Sequence, residues 1–290
     1  MRAVAVFVFL VTCLVTPAQE PPPLLAARSS FATKLLRQTQ VGEAAPTPPA
    51  GVLSLVKYPA PLGANAVYVS PDPKDGKKHP IILWLVGGFS NSIGDIAWTP
   101  GPPENDQSAS AIREAGILMM YPSLRGGNDN PGYLEAFYGE VDDVLAAAKY
   151  AASLPYVDPA RIYLGGHSTG GTLALLVAAA GGDRFRAVFS LGPVDDVTGY
   201  GDDVLPFDTT VTQEGRLRAP KHWLKDIKCP TFVWEGAKHP SNLDSLLALQ
   251  KRNTNPVITF TPVPGETHFS VITPTIGKII AYVQGDPSKR

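Results

Sequence analysis

The sequence predicts an α/β fold, a mostly parallel sheet covered by helices on both faces. Three observations carry this. From residue 81 to the C-terminus, short apolar runs alternate with Ala- and Leu-rich helical stretches, the order that builds a parallel sheet through crossover helices. The runs "IILWLV" (81–86) and "ILMMYP" (117–122) are continuously apolar rather than alternating, as strands buried on both faces require. The 290 residues, 44% hydrophobic and 18% charged, suit one large domain with a substantial core.

Residues 1–18 hold one Arg, an apolar run and then Thr16-Pro17-Ala18. That is the layout of a secretory signal peptide, which predicts a secreted or periplasmic protein. The apolar run is short for a membrane span, and no later segment is long enough, so the mature protein is expected to be soluble. Loss of that segment leaves Cys229 as the one cysteine, so no intramolecular disulfide can form. Residues 19–51 read as a flexible segment with a short helix over 29–40, capped by Ser29 or Ser30, and a Pro/Gly/Ala linker at 42–51.

The domain itself is expected over 52–290. Residues 52–58 and 65–71 read as two antiparallel strands around the turn 59–63. The strand 81–86 ends in Gly87-Gly88-Phe89-Ser90, and a helix over 106–116 leads to the strand 117–122. A long helix over 133–154 precedes the strand 161–166, and a helix follows at 171–181. Strands at 187–193, 231–236 and 257–264 and helices at 243–253 and 274–284 complete the alternation. Residues 195–226 break the rhythm as a long polar stretch between buried strands, which marks a lid-like insertion. With residues 92–107 it is expected to cover a pocket, with Trp98, Phe207 and Trp223 offering apolar surface.

Lys and Arg number 25 against 26 Asp and Glu, a net charge of −1. Nothing here favours a nucleic-acid partner. No Cys/His cluster has the spacing of a zinc site, and neither metal nor cofactor is expected.

The chemistry concentrates at "IYLGGHSTGGTL" (162–173). Gly166-His167-Ser168-Thr169-Gly170 matches G-x-S-x-G between a strand and a helix, the setting in which a serine sits on a strained turn with its hydroxyl exposed. Small neighbours are needed because larger side chains would collide with strand and helix. Ser168 is the candidate nucleophile. The Thr169 N–H at the helix start would stabilise a developing oxyanion, with Gly88 or Phe89 supplying a second donor. His268, in the loop between the last strand and the closing helix, is the candidate general base. His79 and His222 read as surface residues.

The stretches "YPSLRGGN", "EVDDVLAAAKYAASLPYVDPARIYLGGHSTGG" and "VPGETHFSV" resemble the catalytic domain of the prolyl oligopeptidase (S9) group of α/β-hydrolases, close also to dienelactone-hydrolase-like enzymes. The resemblance covers roughly 52–284. It implies an eight-stranded α/β-hydrolase sheet, Ser168 as nucleophile and His268 as base, with an acid between them in the chain. The family's aspartate position falls on His239, which cannot supply the negative charge that orients a histidine base. Glu235, at the end of its strand, is the first candidate acid. Asp195, Asp196 and Asp244 are the alternatives. The family's peptidases also carry a β-propeller, for which 290 residues leave no room. A small-molecule ester is therefore at least as well indicated as a peptide. The missing aspartate keeps a second class open, a non-catalytic α/β-hydrolase fold used for binding.

Overall fold

A computed structural model describes residues 22–285. The signal-peptide expectation over 1–18 lies outside them. One sheet holds eight strands: β1 (Ser54–Ala60), β2 (Gly63–Val69), β3 (His79–Leu85), β4 (Leu118–Pro122), β5 (Val157–His167), β6 (Ala187–Leu191), β7 (Thr231–Gly236) and β8 (Ile258–Val263), in the order β1-β2-β4-β3-β5-β6-β7-β8. β2 runs antiparallel to both β1 and β4, and all other pairings are parallel. The chain turns to one side of β3 to form β4 and to the other to form β5. That reversal opens a crevice beyond the carboxyl ends of β3 and β5, where ligands bind in open α/β sheets.

The apolar runs explain the two layers. Ile81, Leu83 and Leu85 of β3 join one buried cluster, with helices α1 (Leu24–Ser29), α3 (Glu140–Ser153), α4 (Thr169–Gly181) and α6 (Leu243–Arg252). Ile82 and Trp84 join the other, with α2 (Ser110–Glu114) and α7 (Ile272–Gln284). Successive strand residues face opposite sides, so a strand between two helical layers must be apolar throughout. All residues of α4 are buried, which fits its unbroken run of small and apolar side chains. Each fully buried Leu or Val there contributes about 1.5–3 kcal/mol.

Three helices depart from expectation, one of them the helix expected over 106–116, which covers only Ser110–Glu114. The helix expected over 29–40 instead covers Leu24–Ser29. Its first N–H donates to Asp226 Oδ2 at 2.8 Å. Residues 30–46 run on as an irregular strap held by tertiary bonds that outweigh helix propensity. Glu214 accepts from Thr33 Oγ1 and Lys34 N, both at 2.8 Å. Leu36 N donates to Pro206 O, Val41 N to Gly126 O and Gly42 N to Asn128 O. The helix expected from 133 begins only at Glu140, because Ala136 and Phe137 lie at φ 51° and 71° and the Glu140 carboxylate takes the Glu135 and Ala136 N–H groups. The insertion 195–226 folds as short 3-10 turns around α5 (Thr212–Arg218). Among the described residues no helix is long and apolar enough to cross a membrane.

Candidate active site

Ser168 sits between β5 and α4 at φ 58°, ψ −120°, a left-handed conformation costly for a residue with a Cβ. Flanking bonds hold it. Ser168 N donates to Leu191 O at 2.8 Å, and Thr172 N donates to Ser168 O at 2.9 Å. The turn also needs glycine at 170, where any Cβ would collide with the Leu85 carbonyl of β3. Ser168 is half-buried, and its Oγ takes part in no hydrogen bond among the described residues.

His268 lies between β8 and α7, and Glu235 is the penultimate residue of β7. Their side chains meet, with His268 Nδ1 to Glu235 Oε2 at 2.9 Å. Glu235 is fully buried, and its other oxygen accepts from Gly236 N at 2.7 Å. This carboxylate is therefore committed on both oxygens. The pair needs space that only glycine leaves. Gly192, at φ 64°, follows β6, and a Cβ there would stand 2.6 Å from His268 Cε1 and 2.9 Å from Glu235 Oε2. Since Leu191, which binds Ser168 N, precedes Gly192, the serine turn and the His268–Glu235 pair share one wall.

The other three carboxylates lie elsewhere. Asp195 Oδ1 accepts from Ser245 Oγ at 3.0 Å. Asp196 caps a 3-10 turn through Thr198 and pairs with Lys221, whose hydrogen bond helps hold it below the ordinary aspartate range against the opposing effect of burial. Asp244 is exposed in the first turn of α6. His239 is exposed as well, and the neighbouring Pro240 carbonyl accepts from His268 N at 2.7 Å.

His167 stands inside the turn, next to Ser168. The structure gives it more to do. Its ring is buried, 4.6 Å between centroids from the ring of His268. Nε2 lies 2.7 Å from the His268 backbone oxygen. A carbonyl only accepts, so Nε2 carries the proton, and Nδ1 accepts from Gln107 Nε2 at 2.9 Å. Burial and the nearby His268 push the His167 pKa down to about 3, so the ring stays neutral. Gln107 is fixed in turn, its backbone oxygen accepting from Trp84 Nε1 at 3.0 Å. The sequence signal was the histidine in the G-x-S-x-G motif, but Gln107, about 60 residues earlier, has no local mark.

The turn after β3 packs on the serine turn through Thr169 Oγ1, which donates to Gly88 O at 2.6 Å. As the first residue of α4, Thr169 has a backbone N–H with no helical partner. The Gly88 and Phe89 N–H groups likewise have no partner among the described residues. Phe89 is half exposed and packs edge-on against Tyr200 of the insertion at 4.9 Å. Beside this turn lies a cavity of about 460 Å³, lined among others by Gly87, Gly88, Phe89, Thr169 and Leu173. Ser168, His268 and Glu235 are not among its lining residues. Ile93 and Ile96 from 92–107 and Val204 and Pro206 from 195–226 contribute walls, as expected of those loops. The three aromatic residues do not. Phe207 and Trp223 are buried within the insertion itself, and Trp98 packs edge-on against Tyr68 at 4.9 Å. Arg37 and Thr39 of the strap also line the cavity, a role that their exposed, irregular sequence context concealed.

A sheet in this order, with a strained serine between β5 and α4, defines the α/β-hydrolase fold. Residues 103–227 match the sequence profile of the prolyl oligopeptidase family. Protease 2 of Moraxella lacunata is 27% identical over 152 residues, 50% of this chain and 21% of that protein. The chain thus spans about a fifth of that relative's length. Among solved structures, a puromycin-hydrolyzing peptidase of Mycobacterium tuberculosis aligns at a TM-score of 0.64 and 19% identity, over 82% of this chain and 40% of the other. A hyperthermophilic esterase from Pyrobaculum calidifontis aligns at 0.56 and 18% identity, over 82% and 84%. The resemblance to prolyl oligopeptidase-type α/β-hydrolases read from the sequence therefore stands, and its neighbours in fold include both peptidases and esterases.

Proposed function

We propose that the chain is a serine hydrolase that cleaves an ester or a peptide/amide bond through an acyl-enzyme on Ser168. The observation that carries this reading is a serine in strained left-handed backbone at the head of α4, sharing a wall with a buried Glu235–His268 pair. Ser168 Oγ attacks the carbonyl carbon while His268 Nε2 takes its proton. The tetrahedral oxyanion is held by the N–H of Thr169 and that of Gly88 or Phe89. His268 returns the proton to the leaving group as the bond to it breaks. Water then repeats the sequence on the acyl-serine, releasing the acid and restoring Ser168. Glu235 holds the imidazole with Nδ1 protonated and balances the imidazolium charge.

Both ester and peptide substrates fit this chemistry. The esterase neighbour, most of whose length this chain covers, supports the small ester, and the family match supports the peptide. One observation favours the alternative of a non-catalytic binding protein, namely that Ser168 Oγ has no hydrogen bond to His268. Catalytic hydrogen bonds are often long in unliganded enzymes and tighten with substrate, so the hydrolase reading is preferred. Turnover of p-nitrophenyl esters decides between them. The expected result is hydrolysis that Ser168→Ala abolishes. Absence of turnover by the wild type, or equal rates for the two proteins, favours the binding protein.

A further inference from the structure

The wall shared by the serine turn and the His268–Glu235 pair is built on a residue with little conformational preference of its own. Gly192 stands at φ 64° against His268 Cε1 and Glu235 Oε2. Glycine takes positive and negative φ about equally well, so nothing in Gly192 itself keeps its backbone in that place. Its two polar groups do so. Gly192 N donates to Trp234 O of β7 at 2.7 Å. Gly192 O accepts from Asn242 Nδ2 at 2.9 Å, across 50 residues of chain.

Asn242 ends the turn 237–242 between β7 and α6, where the resemblance expects an aspartate. This turn brings no carboxylate to His268, but it is tied to the loop that carries His268. Ala237 N donates to Val263 O at 2.9 Å, Lys238 N to Glu266 O at 2.8 Å and His268 N to Pro240 O at 2.7 Å. One short segment thus holds the backbone of His268 through Pro240 and the Gly192 carbonyl through Asn242. Glu235 lies just before that segment in β7. Leu191, whose carbonyl receives Ser168 N at 2.8 Å, lies just before Gly192. The Asn242 side chain therefore joins the support of acid and base to the strand end that supports the nucleophile.

The usual task of an asparagine at a helix start is absent. Asn242 is the residue before α6, yet its side chain makes no capping bond there, where asparagine commonly accepts from the first helical N–H groups.

We propose that Asn242 is a positioning residue of the active site. Through the Gly192 carbonyl it holds the wall against which the His268–Glu235 pair closes and keeps that pair in register with Ser168. The effect on rate rests on the serine-hydrolase reading, whereas the effect on the pair does not. A catalytic group misplaced by about 1 Å can cost about a hundredfold in rate.

The test compares Asn242→Leu and Asn242→His in the full chain. Leucine keeps the branched outline and removes the donor. Histidine puts Nδ1–H at the same reach from Cβ and restores it. With p-nitrophenyl acetate, Asn242→Leu is expected to lower kcat about tenfold to a hundredfold with KM within about twofold, and Asn242→His to recover most of the loss. Wild-type kcat in a folded Asn242→Leu overturns the proposal, and so does a loss that histidine does not recover. The second readout is the proton NMR resonance of His268 Nδ1–H, identified by its loss in His268→Ala, which reports the bond to Glu235 directly. It should move or exchange away in Asn242→Leu and return in Asn242→His, and an unmoved resonance in Asn242→Leu overturns the proposal. Where Asn242→Leu does not fold, Asn242→Ser, whose hydroxyl falls short of Gly192 O, takes its place in both measurements. A wild type that turns over no ester sinks the hydrolase reading, and the resonance alone then decides the proposal. Turnover with kcat and resonance unchanged in the variant sinks the proposal and leaves the hydrolase reading standing.

Discussion

At the scale of single residues, the acid is where sequence and family pattern part. The position that resemblance fills with aspartate holds His239, which is exposed, while Glu235, four residues earlier, reaches His268 from inside the strand. A buried glutamate at a strand end was a legible anomaly, since charge there needs a partner. Its partner was not legible, because Gly192 and the loop before α7 come from distant sequence. His167 is the second case. It holds the His268 backbone oxygen and is itself held by Gln107, so we assign it a positioning role. His167→Gln can keep the donor near the Nε2 position, whereas His167→Phe removes it and leaves the His268 oxygen unpaired, at about 1–3 kcal/mol. His167→Phe should lower kcat about tenfold or more with little change in KM, and His167→Gln should recover most of the loss. Equal kcat in the two variants would contradict the role. The buried ring also makes stability depend on pH. Its pKa is about 3 in the folded chain and about 6.5 when unfolded. Between these values the unfolded chain binds a proton that the folded chain refuses, so stability falls as pH drops below about 6.5. Above 6.5 both states are neutral and the effect vanishes. Melting curves for His167→Gln should therefore decline less steeply from pH 6.5 to 4 than those of the wild type.

Elements were the most legible level where periodicity decides and the least where tertiary bonds do. The eight strands stand near the runs that predict them, and the central ones are continuously apolar because a strand covered on both faces leaves no polar positions. The helix expected over 29–40 fails because Thr33, Lys34 and Leu36 are bonded to Glu214 and Pro206, none of which a local pattern can announce. The late start of α3 has a similar cause. Around it stands a buried ion network. Arg125 meets Asp143 through Nε at 3.0 Å and Nη2 at 2.9 Å, and Glu135 through Nη1 at 2.7 Å. It ties the loop after β4 to α3. Removing one member of a buried pair strands the other charge, at about 3–5 kcal/mol. Asp143→Ala should then lower the Tm by on the order of 10 °C in thermal denaturation. A shift of a degree or two would show that the network is not structural.

Across the whole molecule, the sheet order, the serine turn and the His268–Glu235 pair are one arrangement. The reversal of direction around β3 opens the crevice. β5 and α4 deliver the serine to it, and β7 and β8 deliver the acid and the base from the far side. The strap and the insertion close the opposite side and shape the cavity. On the proposed reading, Ser168 is a nucleophile tuned by His268 and Glu235. The most direct test is the rate at which a fluorophosphonate labels Ser168, followed by peptide mass mapping in wild type and Glu235→Gln. A neutral amide cannot balance the imidazolium and favours the wrong tautomer. The expected result is a wild-type adduct on the Ser168 peptide and labelling slowed by about 10³–10⁴-fold in the variant, in line with orienting-acid changes in known triads. An adduct elsewhere, or labelling of Glu235→Gln at the wild-type rate, would contradict it.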